Sequence, residues 1–246
     1  MTQGAAKYDM IRQLQQEVLR LQGYRRSAGS LAMHKGLGPI EAAFPGKTFP
    51  TGAVHEFISA GPEDAAATNG FISGLLGGLL RGAGVCLWIS TSRTVFPPAL
   101  KLFGLDPDRI IFLDLQKPKD ALWSLEEALK CEAVAAVVGE IAELGFTESR
   151  RLQLAVEQSR VTGFIHRCRP RKENTVACLT RWKIRPLPSI TEDGMPGPGF
   201  PRWQVQLVKV RNGRPGTWEL EWTDAGFRHV SRQSMDFTEL QTRKAG

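Results

Sequence analysis

The sequence lacks the features by which several classes of protein are recognised. No run of apolar residues is long enough to span a membrane, and the first ten residues contain no apolar signal region. Only four cysteines occur among 246 residues, and no pair has the spacing of a metal site. These absences argue against a membrane protein, a disulfide-rich secreted protein and a metalloprotein, and they predict a cytoplasmic protein with reduced thiols.

The most informative absence is that of one lysine. A phosphate loop has the pattern Gly-x-x-x-x-Gly-Lys-Ser/Thr, in which backbone N–H groups surround the phosphates and the lysine neutralises their charge. After the predicted strand Val54–Ser59, Gly61 opens such a segment and Thr68 closes it, but Ala66 replaces the second glycine and Ala67 replaces the lysine. Alanine restricts positive φ and carries no charge. Residues 61–68 therefore predict a degenerate phosphate loop with no cofactor, although weak ATP binding stays open.

The acids that ATP hydrolysis requires are also absent from their expected positions. Such enzymes need an acidic residue at the end of a later strand and a carboxylate that activates water. The strand predicted at Ala133–Val138 is followed by Gly139, and Glu140 stands one residue late, which in a strand reverses the face to which a side chain points. The strand before Ser92 also ends without an acid. The sequence thus predicts a protein without catalytic residues and without a bound metal.

Apolar strands alternate with helices through the middle of the chain, which is typical of a mostly parallel sheet covered on both faces. The predicted strands are Val54–Ser59, Gly84–Ser90, Arg109–Leu113, Ala133–Gly139 and Gly163–Arg167, and the predicted helices are Ala66–Arg81, Thr94–Phe103, Pro118–Cys131 and Phe146–Val161. Short β-type segments joined by turns then predict an antiparallel extension. These segments are Val176–Arg185, Trp203–Arg211, Thr217–Thr223 and Phe227–Ser231.

An amphipathic helix is predicted near the amino terminus, from Lys7 to Gln22. Its apolar face consists of Ile11, Leu14, Val18 and Leu21. A segment rich in Gly, Ser and Pro follows, so this face could pack on its own domain or dock on another subunit or partner. We divide the chain into a helix with the start of a linker (1–30), a loosely packed lead-in (31–53), a core (54–232) and a tail (233–246).

The net charge of +7 is carried by the last third of the chain. From residue 160 onward there are 16 Lys and Arg against 8 Asp and Glu, whereas residues 1–159 hold 16 against 17. This asymmetry favours an anionic partner such as DNA, with a solvated or protein-binding basic patch as the alternative. The candidates for phosphate contacts are Arg167, Arg169, Arg171, Lys172, Arg181 and Lys183. No aromatic residue lies within the segment 167–172, so base stacking is not predicted there.

Tryptophan is concentrated in the same region, and histidine is scattered. Four of the six tryptophans are Trp182, Trp203, Trp218 and Trp222. On strands they are predicted to fill the core, and an exposed patch for a partner is the alternative. The four histidines have no metal-ligand spacing and no paired carboxylate, so no chemistry is predicted for them.

Two parts of the sequence resemble a known family. Residues 51–69 and the order of elements that follows them are similar to the RecA recombinase core. Residues 180–184 (Thr-Arg-Trp-Lys-Ile) and 201–222 resemble the ImuA-type proteins, which are RecA-related accessory factors of bacterial damage-induced mutagenesis. The resemblance implies a RecA-like fold. It assigns the water-activating glutamate of recombinases to Ser92, their metal-binding aspartate to Gly139 and their nucleotide-sensing glutamine to the vicinity of Arg167.

The same resemblance implies a function. It predicts a non-enzymatic accessory factor of SOS-regulated translesion synthesis that works with a catalytically inactive Y-family polymerase-like protein and an error-prone replicative-type polymerase. DNA, RecA and a second copy of the chain are further candidate partners. Two alternatives remain open: an ATP-dependent protein that binds single-stranded DNA, and a damage-induced inhibitor of cell division that acts by protein binding.

Overall fold

A computed structural model describes residues 37–80, 84–189 and 199–230, together with Met10, Gln13 and Leu14. These three isolated residues are helical, and the side chain of Leu14 is 55% exposed. The other predicted docking positions, Ile11, Val18 and Leu21, lie outside the described residues, as does the predicted tail (233–246).

A nine-stranded sheet forms the centre of the described part, with the order β3-β2-β4-β5-β1-β6-β7-β8-β9. Strands β1 to β6 pair in parallel, and β6 to β9 pair antiparallel. The strands are β1 (Val54–Ser59), β2 (Cys86–Ser90), β3 (Ile110–Asp114), β4 (Ala136–Ile141), β5 (Thr162–Cys168), β6 (Thr180–Leu187), β7 (Arg202–Val210), β8 (Gly216–Thr223) and β9 (Gly226–His229). The predicted α/β fold with its antiparallel carboxy-terminal extension is confirmed.

Three α-helices cover the two faces of the sheet: α1 (Pro62–Leu79), α2 (Pro118–Lys130) and α3 (Phe146–Ser159). Helix α1 packs in one apolar cluster with the residues of β6 and β7 that face it. Helices α2 and α3 pack in a second cluster on the opposite face of the sheet. Strands β1 and β4 are consequently buried at every residue, which explains their continuous apolar character. No helix of the described ranges is long and apolar enough to cross a membrane.

Two predicted segments differ from the structure in more than their bounds. The helix predicted at Thr94–Phe103 is a 3₁₀ helix over Pro97–Phe103, because two consecutive prolines lack N–H donors and disfavour helical geometry in the residue that precedes them. The lead-in predicted to pack loosely is part of the core from residue 37 onward. It forms a 3₁₀ helix at Gly38–Ala43, and Phe44 and Phe49 are at most 2% exposed.

The tryptophans of the carboxy-terminal strands pack against glycines of α1. A Cβ atom at Gly74 would lie 2.6 Å from Phe227 Cζ and 2.7 Å from Trp222 Cζ3, and one at Gly70 would lie 3.0 Å from Trp203 Cζ2. Trp182 and Trp203 are 0% and 3% exposed, so the prediction that they fill the core is confirmed. Trp218 and Trp222 are partly buried against the same cluster.

Candidate functional site: the first turns of helix α1 and the basic loop

The segment that resembles a phosphate loop is helical. Helix α1 begins at Pro62, four residues before the predicted start at Ala66, and Gly61 is its N-cap. The backbone N–H of Ala65 already donates to the carbonyl of Gly61 over 3.0 Å. A phosphate loop works because its N–H groups turn toward the ligand, and here the groups from Ala65 onward lie within helical hydrogen bonding.

Two acidic side chains lie in the first turn of α1. Pro62 contributes no N–H, and Asp64 Oδ2 accepts a hydrogen bond of 3.3 Å from the N–H of Ala60. Glu63 adds a second carboxylate to the first turn. Negative side chains at a helix amino terminus interact favourably with the helix dipole, and they oppose the approach of a phosphate.

The last two positions of the segment point into the protein. Ala67 is 6% exposed and packs in the core cluster, and Thr68 is completely buried. The hydroxyl of Thr68 lies 2.9 Å from Ser59 Oγ. Thr68, which retains the hydroxyl of a phosphate loop, therefore uses it in an internal hydrogen bond.

That hydrogen bond belongs to a buried polar network that the sequence did not predict. His166 Nε2 lies 2.8 Å from Ser59 Oγ, and His166 Nδ1 lies 2.8 Å from Asn69 Oδ1. Because the Asn69 oxygen can only accept, His166 carries its proton on Nδ1 and accepts from Ser59 through Nε2. Burial disfavours the imidazolium and lowers the pKa of His166 to about 4, so the ring is neutral at pH 7.

The network ends at Glu140, which lies on the same face of the sheet as α1. Its Oε1 accepts hydrogen bonds of 3.1 Å from both Asn69 Nδ2 and Thr94 Oγ1. Burial raises the pKa of this carboxyl, and hydrogen bonds to the carboxylate oppose the rise. Gly139 faces the opposite side, where a Cβ atom would lie 2.6 Å from Leu125 Cδ1. The one-residue shift therefore turns Glu140 toward the segment, and it is position 139 that points away.

A cavity of about 660 Å³, here named the edge cavity, opens beside this network. It lies at the carboxyl ends of β1, β2, β4 and β5, where parallel sheets present their binding sites. Its lining includes Ala66, Asn69, Thr94, Phe96, Glu140 and Arg169. Among the described residues that line it, Arg169 is the only cation, and the volume suits a small ligand or a single inserted group.

Two of the six predicted phosphate contacts are instead partners of a buried acid. Glu56 on β1 pairs with Arg167 through Nη1 at 2.8 Å and with Arg181 through Nε at 2.5 Å. The side chains of Glu56 and Arg167 are 0% exposed and that of Arg181 is 13% exposed. Arg167 and Arg181 are therefore withdrawn from the candidates for DNA contact. These three residues are named the ion-pair triad.

The ion-pair triad secures the segment that follows β5, residues 169–175, here named the basic loop. Arg167 Nη2 donates to the carbonyl of Lys172 over 3.0 Å, and Arg181 Nη2 donates to that of Asn174. The N–H of Arg171 also donates to Glu143 Oε1 over 2.8 Å. Arg167, Arg181 and Glu143 thus hold the backbone of the basic loop through hydrogen bonds, while the cations of the loop remain at the surface.

Arg169, Arg171 and Lys172 are the cations that the basic loop presents to solvent. All three are exposed, and within the described ranges none has an ion-pair partner. Lys183 is partly exposed and pairs with Glu173 of the loop at 2.7 Å. Four of the six predicted positions therefore remain as candidates, three of them unpaired.

Comparison with known proteins gives one consistent match. No protein-family model matches the chain. Over 210 residues it is 37% identical to Protein ImuA of Caulobacter vibrioides strain NA1000 / CB15N, and the same holds for Protein ImuA of strain ATCC 19089 / CIP 103742 / CB 15. The match covers 78% of this chain and 86% of each relative. Identity at this level over most of both chains indicates common descent.

Proposed function

The chain belongs to the ImuA family, which associates it with damage-induced mutagenesis, and we propose that it is a non-enzymatic accessory factor of SOS-regulated translesion DNA synthesis. In this role it links DNA to error-prone polymerase components through a RecA-like core that does not hydrolyse ATP. The proposed protein partners are an inactive Y-family polymerase-like protein and an error-prone replicative-type polymerase.

The observation that carries the proposal is the helical conformation of residues 62–67. In this conformation the segment does not form a loop whose N–H groups could surround a phosphate. A buried alanine also stands in the place of the lysine. A charge-assisted hydrogen bond contributes roughly 1.5–3 kcal/mol, so the absence of the lysine removes a contribution of this size for each phosphate oxygen that it would bind. A protein of this build acts through contacts with other macromolecules.

The basic loop supports DNA as one of those macromolecules. Its three exposed and unpaired cations stand on a fixed backbone at the carboxyl edge of the sheet. Contacts to phosphates require such cations and no particular base sequence. We propose that Arg169, Arg171 and Lys172 bind the DNA backbone, with Lys183 at the margin of the same surface.

The test of DNA binding is a triple substitution, Arg169→Ala, Arg171→Ala and Lys172→Ala, assayed on a labelled single strand over a range of salt concentrations. We expect a weaker affinity and a salt slope that is smaller by roughly 2, since each single-strand phosphate contact contributes about 0.7 to the slope. The matched control removes three exposed cations elsewhere, Lys101, Lys119 and Arg214. Equal effects of the two triples would exclude the basic loop as the contact.

ATP turnover is measured on the same proteins with and without single-stranded DNA. We expect none above background. Robust turnover that Thr68→Ala abolishes would exclude a non-enzymatic role and favour a DNA-dependent ATPase. Capture of the polymerase components by the purified chain tests the remaining part of the proposal, and capture without any DNA binding would favour an inhibitory protein-binding role.

A further inference from the structure

The edge cavity and the basic loop share a residue, and we infer from this that the edge cavity binds one unstacked base of a single DNA strand whose phosphates lie on the basic loop. This inference rests on the proposed DNA binding and adds a site for the base. It is carried by the position of Arg169, by the exposed ring of Phe96 and by the polar groups of the cavity.

Arg169 lines the edge cavity and is also the first cation of the basic loop. Its backbone has a φ of 50°, a left-handed conformation that is uncommon for residues other than glycine. The N–H of Arg169 donates to the carbonyl of Ser59 over 2.8 Å, which holds the residue in this conformation at the end of β5. A phosphate bound by Arg169 would therefore lie next to the cavity, within reach of the base of the same nucleotide.

Phe96 provides a surface on which that base can stack. Its side chain is 68% exposed and lines the edge cavity. No ring among the described residues lies against it, unlike Phe103, which packs on Trp203 and Trp222. Two prolines follow it, so its backbone is fixed before any ligand arrives and little conformational freedom is lost on binding. Bases stack on such rings with little regard to sequence.

The polar groups of the edge cavity suit a base better than a phosphate. Glu140 and Asn69 line it, and both are at least nine-tenths buried. A buried carboxylate opposes a phosphate, whereas Glu140 Oε2, which has no hydrogen-bond partner among the described residues, can accept from an N–H group of a base. The hydroxyls of Thr91, Ser92 and Thr94 also line the cavity. The acidic first turn of α1 also disfavours a phosphate inside the cavity, so the phosphates remain on the basic loop.

The test combines a protein substitution with a DNA modification. Phe96→Ala is compared with wild type on a short single strand and on the same strand carrying abasic sites. On the normal strand we expect Phe96→Ala to lower affinity by roughly 5- to 150-fold, the loss typical of one base–aromatic stack. On the abasic strand the two proteins should bind equally. Trp123→Ala removes an aromatic side chain of similar exposure, 64%, from outside the cavity and should change neither affinity.

The possible failures are distinguishable. If wild type does not bind the strand, both the proposed function and this site are wrong. If wild type binds through the basic loop but neither Phe96→Ala nor the abasic sites change affinity, the DNA binding stands and the base site is wrong. If Phe96→Ala weakens capture of a polymerase component and leaves DNA affinity unchanged, the edge cavity is a protein contact and the base site is again wrong.

Discussion

Glu56 and Arg167 form an ion pair from which solvent is completely excluded, with Glu56 Oε1 2.8 Å from Arg167 Nη1. They lie on the neighbouring strands β1 and β5, and the second oxygen of Glu56 pairs with Arg181 on β6, directly opposite in register. One acid thus joins three parallel strands behind the basic loop. It neutralises buried charge and holds the two arginines that fix the loop backbone.

We expect Glu56→Gln to lower the free energy of unfolding by roughly 3–5 kcal/mol, because Arg167 and Arg181 would lose the buried acid that balances them, and Glu143, which lies 3.6 Å from Arg167 Nη2, is itself 53% exposed. The matched control is Glu173→Gln, which breaks the exposed pair with Lys183 and should cost less than about 1 kcal/mol. Urea denaturation of both variants measures the difference. Equal losses in the two variants would mean that the ion-pair triad contributes no more to stability than an exposed ion pair does.

We expect a lysine restored at position 67 to destabilise the protein without restoring ATP binding. Ala67 is buried in the core, so Ala67→Lys should lower the free energy of unfolding by roughly 3–5 kcal/mol, the cost of a buried charge without a partner. Ala66→Lys, one residue earlier on the exposed side of α1, should change stability by less than about 0.5 kcal/mol. Denaturation and equilibrium ATP binding test both variants, and ATP binding by Ala67→Lys would contradict the structure of this segment.

The fold class could be predicted from the sequence because it depends on local patterns. Continuous apolar runs identify parallel strands, and turns between β-type segments identify the antiparallel extension. The early start of α1 also had a local signal, since Pro62 followed by Glu63 and Asp64 is typical of a helix amino terminus. The likeness to a phosphate loop outweighed that signal and led to the wrong boundary.

The candidate site was less predictable because it depends on contacts between distant parts of the chain. Arg167 lies on β5, which runs between β4 and β1 in a sheet that helices cover on both faces. This position is consistent with a buried side chain, but the sequence does not identify Glu56 as its partner. The meeting of Phe96 with Arg169 in the edge cavity likewise depends on the order of strands. His166 has no spacing pattern; the pairing of β1 with β5 brings it to Ser59, and the packing of α1 on the sheet brings it to Asn69.

We expect the stability of the protein to decrease as the pH falls below about 6.5, the ordinary pKa of histidine. Burial lowers the pKa of His166 to about 4 and that of His55 to about 3, so between these values and about 6.5 the unfolded chain binds protons that the native protein does not. Stability is then lost as the pH falls, by up to about 1.4 kcal/mol per pH unit for each histidine. Glu140 acts in the opposite direction, because its raised pKa favours the native state on acidification.

The contribution of a single histidine is measured by substitution. Between about pH 7 and about pH 5, His166→Gln should lose roughly 2 kcal/mol less unfolding free energy than wild type. His229→Gln, which removes a partly exposed histidine on the edge strand β9, serves as the control for the substitution itself. If both variants follow wild type, His166 does not remain neutral in the native protein.

We expect Gly139→Ala to lower the free energy of unfolding by roughly 1–3 kcal/mol through overpacking, since the added Cβ would lie 2.6 Å from Leu125 Cδ1 on α2. Leu125→Ala alone should cost roughly 2–5 kcal/mol, and the double variant should lose at least about 0.5 kcal/mol less than the sum of the two. Gly46→Ala, whose Cβ would make an ordinary 3.4 Å contact, is the control. Additive losses at positions 139 and 125 would mean that Gly139 does not face α2. Coupled losses would establish that an aspartate at position 139 points away from the edge cavity, so its absence is a consequence of packing and restoring it cannot rebuild a metal site.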